Sequence, residues 1–267
     1  MEELAGGKVL LDRPAEAVAR IRLNNPERRN ALDHAMLDAI ADVLPQLDRG
    51  IETRCVLITG EPPAFCAGFD IASIPDPTFE RDAEALVAHP FDGAMEALAK
   101  HPWPLIAAIN GHALGGGLEL AVTCDLRICV GGAKLGMPPA KLGLVYSHTG
   151  LRKFLDVLGP ARTKELFLTG RNIRAERAAE IGLVHEVVPA EDLEQVAIEL
   201  AAEVAGNAPI SMRGNKHAID LLTRSPMLTE QQEAGLIALR ESCFTSDDLR
   251  EGIIAFSEKR KPVWTGK

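Results

Sequence analysis

The chain has 267 residues, 46% hydrophobic and 25% charged, the balance of a soluble globular protein long enough to bury its own core. A formal net charge of -9 argues against the broad basic face that nucleic-acid binding needs. Five cysteines without C-x-x-C spacing and seven histidines without H-E-x-x-H spacing argue against a disulfide framework and a zinc site.

Met1 to Lys8 is acidic and lacks an apolar core, so no secretory leader is expected. No uninterrupted apolar run approaches 18 residues, so no membrane span is expected either, and the reading is cytoplasmic. From Val9 to Leu23 alternation around Arg13 to Glu16 predicts an antiparallel strand pair. Asn24-Asn25-Pro26 is a turn, and Asp33 is the N-cap of a helix carrying Met36, Leu37, Ile40, Val43 and Leu44 on one face. Cys55 to Thr59 and Pro104 to Ile109 read as buried strands, with a helix between about 80 and 100 that is interrupted near Pro90. A helix over Leu118 to Cys124 and a strand over Leu126 to Val130 follow. Helices are predicted at about 148–158, 160–168 and 174–181, then a strand at Glu186 to Val188 and only helices from Glu191 onward. Alternating strands and helices imply an α/β core with a mainly parallel sheet. The shift to helix-only sequence divides the chain into a core of 1–205 and a helical region of 206–267.

Asn110 to Leu120, with Gly115, Gly116 and Gly117 at its centre, joins a buried strand to a helix. Adjacent glycines let backbone approach a ligand closely. The first N–H groups of the following helix are unpaired and lie at the positive end of its dipole. Such a turn suits an anion or a developing oxyanion, although alone it also fits a helix packed tightly on a strand. It is neither a G-x-G-x-x-G fingerprint, since Ala113 breaks it, nor a P-loop, since Leu118 follows Gly117. A second turn, Ala64 to Ile71 around Gly68, also follows a buried strand and offers a second set of amides.

Four segments in order resemble the crotonase superfamily, the family of enoyl-CoA hydratases and isomerases: Leu23 to Leu32, Phe65 to Ile71, Asn110 to Leu120 and Glu251 to Arg260. Leu168 to Arg171 and Ala178 to Val184 fit between the last two. The resemblance implies a ββα spiral with a helical C-terminal region used for trimerisation, and an acyl-CoA substrate held by a homotrimer or hexamer. It implies an oxyanion hole from the N–H groups of Phe69 and Gly116. Coenzyme A, arriving as part of the substrate with no separate cofactor, would lie along Arg28, Ala67, Asp70 and Ile71. Phe256 and Lys259 would reach the coenzyme A of a neighbouring subunit, and the run Lys259, Arg260, Lys261 suits its phosphates.

Hydratases of this superfamily share acid and base work between two glutamates. Glu119 stands at the first position, but Pro139 stands at the second, and a proline moves no proton. The stretch Met137 to Tyr146, ending in the chain's single tyrosine, resembles the equivalent run of methylmalonyl-CoA decarboxylase. Three readings follow: an enoyl-CoA hydratase/isomerase using Glu119, a malonyl-type decarboxylase using Tyr146, and an acyl-CoA-binding protein with little turnover. Each residue also has a plainer reading. Glu119 could serve the helix N-terminus, Tyr146 could pack with its hydroxyl on the backbone, and Asp70 could cap a helix. His148 could reach the site and His112 sits inside the glycine turn, but a lone histidine is usually structural, and neither is assigned a role.

Overall fold

The computed structural model describes residues 1–70, 90–142, 144–224 and 229–267, without the side chains of 224, 240, 241, 243–245, 256 and 257. Its strands are β1 (Glu2–Leu4), β2 (Val9–Ala15), β3 (Val18–Leu23), β4 (Cys55–Gly60), β5 (Ala64–Cys66) and β6 (Leu105–Ile109). They continue with β7 (His112–Leu114), β8 (Leu126–Val130), β9 (Lys134–Gly136), β10 (Ile173–Arg174) and β11 (Glu186–Val188). Helices α1 (His34–Leu47), α2 (Asp92–Lys100), α3 (Gly116–Thr123), α4 (His148–Thr169) and α5 (Ala175–Glu180) belong to the same part of the chain. The last four are α6 (Leu193–Ala205), α7 (Pro209–Arg224), α8 (Glu230–Thr245) and α9 (Asp247–Glu258).

A seven-stranded sheet in the order β1-β2-β3-β4-β6-β8-β11 forms the scaffold. The first three strands pair antiparallel and the remaining pairs are parallel. Its central strands are continuous apolar runs because both faces are covered: every residue of β6 is buried, as are all but one in β4. Helix α1 buries Met36, Leu37, Ile40, Val43, Leu44 and Leu47, the stripe its periodicity predicts, and Asp33 accepts the Met36 N–H at 2.9 Å. Helix α4 bends at Gly159 (φ 67°) before Pro160, where the sequence separates two helices.

The sequence reading misses a second sheet. Strands β10-β9-β7-β5, each two or three residues long, form a four-stranded sheet. Both glycine turns contain one of these strands: β5 lies inside Ala64 to Ile71, and β7 inside Asn110 to Leu120. Helix α3 also starts two residues earlier than predicted, at Gly116. The interruption predicted near Pro90 borders 71–89, outside the described residues, and α2 is the part of that helix seen.

Candidate active site

Strand β5 leads through Ala67 and Gly68 to Phe69. Ala67 N–H donates to Arg29 O at 3.0 Å, Leu32 N–H to Gly68 O at 2.7 Å, and Asp70 N–H to Leu32 O at 3.0 Å. This short parallel bridge uses the groups flanking Phe69 and leaves the Phe69 N–H directed away from Leu32. Strand β7 leads to Gly115 (φ 53°, ψ −126°), whose N–H donates to Gly136 O at 2.9 Å. The Gly116 N–H then opens α3, beyond reach of any carbonyl of that helix. Among the described residues neither the Phe69 nor the Gly116 N–H has an acceptor.

The two turns touch. A Cβ on Gly68, whose φ of +96° favours glycine, would stand 2.9 Å from Leu114 O and 3.4 Å from Gly116 N. A Cβ on Gly116 would stand 3.2 Å from both the Phe69 and Phe91 rings, which pack edge to face at 4.7 Å. On the far side, Asn30 fixes the β5 turn. Fully buried and at φ +55°, it donates through Nδ2 to Glu61 O and Ala64 O at 2.7 Å each, and its Oδ1 accepts Asn25 N–H at 2.9 Å.

Glu119 sits in the first turn of α3, 1% exposed in a helix whose other residues from Gly116 to Val122 are all buried and uncharged. Its two oxygens have separate donors. Tyr146 O–H donates to Oε2 at 2.6 Å, and Lys153 Nζ donates to Oε1 at 3.0 Å. Burial first, and then the neighbouring Glu119 carboxylate, push the Tyr146 hydroxyl well above its ordinary value of 10, so the phenol keeps its proton at neutral pH. Both donors come from one end of α4. Tyr146 precedes the N-cap Ser147, whose Oγ accepts Gly150 N–H at 3.1 Å, and Lys153 lies one turn further on. Gly150 makes room between them, since a Cβ there would stand 2.6 Å from both Glu119 Oε2 and the Tyr146 ring. At the other end of α3, Arg127 is buried and donates to Cys124 O at 2.6 Å and Leu183 O at 2.7 Å, satisfying a carbonyl just beyond the helix.

The structure thus brings Phe69, Gly116, Glu119 and Tyr146 together. Arg28 and Asp70 adjoin them beside Ala67, with Arg28 Nε 3.7 Å from Asp70 Oδ2. Pro139 is buried in the turn Pro139–Leu142. Ile71 and the Phe256 side chain lie outside the described residues. Lys259 is exposed at φ +54° just beyond α9, and among the described residues no hydrogen bond or ion pair joins it to the Arg28–Ala67 segment. His112 Nδ1 accepts Lys134 N–H at 3.1 Å, a role in strand pairing, and His148 is exposed at the start of α4. Sequence reasoning missed Lys153, Gly150 and the tether formed by Asn30.

Among the described residues no group of three His, Cys, Asp or Glu is placed to hold a metal ion. No described helix is long and apolar enough to cross a membrane. A cavity of about 560 Å³ lies beside α7 with His101, Arg213 and Lys216 in its wall, and holds none of the residues above.

Two glycine turns, a second small sheet and a buried carboxylate at the start of α3 define a crotonase-type α/β enzyme fold, and comparison with known proteins agrees. The family model for enoyl-CoA hydratase/isomerase matches residues 13–267. The chain is 37% identical over 265 residues to the putative enoyl-CoA hydratase/isomerase YngF of Bacillus subtilis, covering 98% of this chain and 99% of that protein. It is 32% identical over 259 residues to a short-chain-enoyl-CoA hydratase of Clostridium acetobutylicum, covering 95% of each. The crystal structure of an enoyl-CoA hydratase from Bacillus anthracis superposes with a TM-score of 0.89 at 35% identity, covering 97% of this chain and 100% of that one. The chain belongs to the enoyl-CoA hydratase/isomerase family and is an enzyme of that family.

Proposed function

We propose that this enzyme acts on acyl-CoA thioesters by stabilising the thioester enolate, with the Phe69 and Gly116 N–H groups receiving the thioester oxygen and Glu119 moving the proton. The observation that carries this reading is the contact of two turns whose Phe69 and Gly116 amides have no acceptor among the described residues, near the helix turn that carries a buried, doubly held carboxylate. Two such donors suit the oxygen on which charge develops. Each one in a site of this kind contributes roughly 2.7–4 kcal/mol to barrier lowering.

Within the family's chemistry, the proton-shift arm is favoured over hydration. Hydration by two carboxylates shares one water between them, and here Pro139 offers no acid or base. A single carboxylate can still take a proton from one carbon of an enoyl chain and return it to another through the common dienolate. The decarboxylase reading has its own support in the Tyr146 O–H held against Glu119. Loss of carbon dioxide from a malonyl-type thioester leaves the enolate directly, and the carbon then needs only a proton. Coenzyme A would run along Arg28, Ala67, Asp70 and Ile71, with Phe256 and Lys259 serving a neighbouring subunit. The region 206–267 would hold a trimer or hexamer together in the cytoplasm, and no separate cofactor is invoked.

The test is turnover of 3-enoyl, 2-enoyl and malonyl-type CoA thioesters by wild type, Glu119→Gln and Tyr146→Phe. The proton-shift reading expects 3-enoyl turnover that falls by about 10²- to 10⁴-fold in Glu119→Gln. Malonyl-type turnover that falls in Tyr146→Phe would favour the decarboxylase instead. Tight binding of every thioester with no turnover would leave an acyl-CoA-binding protein.

A further inference from the structure

We propose that Lys153 is a positioning residue of this site, an internal counter-ion that holds the Glu119 carboxylate in place and aims it at the acyl chain. The proposal rests on the acyl-CoA reading above and extends it to a residue outside the two glycine turns.

A lone carboxylate at the Glu119 position would be costly. It is almost wholly buried, and the surrounding helix Gly116–Thr123 carries no basic side chain to pair with it. An uncompensated charge in such a place is strongly disfavoured. Tyr146 does not supply the missing charge, because its phenol is neutral and contributes only a hydrogen bond to Oε2.

Lys153 supplies it. Its Nζ is 3.0 Å from Oε1, its side chain is only 20% exposed, and among the described residues Glu119 is its sole polar partner. A surface lysine would be free to choose water; this one is committed by its place in α4, three residues after Gly150. Positions three apart share a helix face, so the Gly150 gap that admits the carboxylate and the ammonium that neutralises it face the same way. Each Glu119 oxygen accepts one bond from the protein, and a carboxylate oxygen can accept a second. Capacity therefore remains for a substrate proton, while the two donors fix the plane of the group.

The experiment follows solvent deuterium exchange at the α-carbon of butyryl-CoA, a saturated thioester that can form an enolate without being consumed. Binding is measured by calorimetry on the same samples. Wild type should exchange, and Glu119→Gln should not. Lys153→Met should exchange about 100-fold more slowly while its affinity for butyryl-CoA stays within about 2-fold, and Lys153→Arg should recover most of the rate. The pair is also read without activity, by melting of Glu119→Gln, Lys153→Met and the double variant. Coupling requires the double variant to lose less than the sum of the single losses. Undiminished exchange in Lys153→Met, a loss in both Lys153 variants with no Arg rescue, or additive melting losses would each overturn the Lys153 proposal alone. Wild type that binds no CoA thioester would instead overturn the acyl-CoA reading, and the melting cycle would still decide whether Lys153 and Glu119 act as a pair.

Discussion

The seven-stranded and four-stranded sheets are stabilised by different means. In the large sheet, strands of five or six residues such as β4 and β6 bury side chains on two faces, and each pairing is reinforced by the next. In the small sheet, strands of two or three residues are too short to bury more than three residues each. Their positions are set by backbone approach, through glycines that admit a neighbouring carbonyl and through Asn30 binding the β5 loop. Every element that delivers Phe69 and Gly116 to one place belongs to this second kind. The large sheet supplies stability, and the small one supplies geometry.

The contrast is tested most severely at Gly117. A Cβ there would press on the Cys66 carbonyl oxygen and lie 2.6 Å from Cys66 Cβ and 2.7 Å from its Sγ. Gly117→Ala must therefore push α3 away from β5, carrying Gly116 and Glu119 with it. A displacement on the order of 1 Å can cost about 100-fold in rate, so kcat should fall by at least that factor while the large sheet keeps its far-ultraviolet signature. Next in size is Leu57→Ala in β4, where the side chain is buried at the centre of the large sheet. It should lower unfolding free energy by about 2–5 kcal/mol in chemical denaturation, with kcat per folded molecule unchanged. If Leu57→Ala spoils kcat, or Gly117→Ala leaves it intact, the division of labour fails.

Legibility followed the same division. The apolar runs at Cys55 to Thr59, Pro104 to Ile109 and Leu126 to Val130 could be read as strands because side-chain burial dictates their composition. Strands β5, β7, β9 and β10 are too short for any alternation to emerge, and their pairing depends on residues far away in sequence. Within the site, Glu119 and the glycine turns were visible through motif and resemblance. Lys153 was not, because a lysine in an amphipathic helix ordinarily faces water, and only the fold shows that Glu119 occupies the space beside it. Gly150 offered a faint signal, a glycine in the first turn of a helix where a better helix former would ordinarily stand.

A smaller effect comes from His101, which follows α2 and lies outside both sheets. It is 3% exposed, its Nε2 has no hydrogen-bond partner among the described residues, and burial followed by Lys216 and Arg213 holds it down at about 4. The folded protein therefore keeps His101 neutral where the unfolded chain, titrating near 6.5, takes up a proton. Stability is complete above the unfolded value and is lost as pH falls through the window from about 6.5 towards 4. His185, likewise lowered chiefly by burial, acts in the same direction. Between pH 7 and pH 5 the His101 contribution is about 2 kcal/mol, so denaturation midpoints of His101→Gln should fall less steeply than those of wild type. Parallel curves would mean that His101 titrates normally in the folded state.

The smallest effect is placed in the scaffold, where the comparison predicts damage without consequence for chemistry. Asp33 accepts the Met36 N–H at 2.9 Å and also receives Lys8 Nζ at 2.5 Å. Asp33→Ala removes one cap from α1 and one half-exposed ion pair, and a lost cap costs about 1 kcal/mol, with little more from the pair. The position lies one residue beyond Leu32, which holds the Phe69 turn through Gly68 O and Asp70 N, so it probes how far a scaffold defect spreads. Because the bonds of Leu32 are made by backbone, they do not depend on the Asp33 side chain. The expected outcome is a melting shift of a few degrees with kcat and KM unchanged. A fall in kcat out of proportion to that shift would mean that α1, through Leu32, belongs to the geometry of the site as well as to the core.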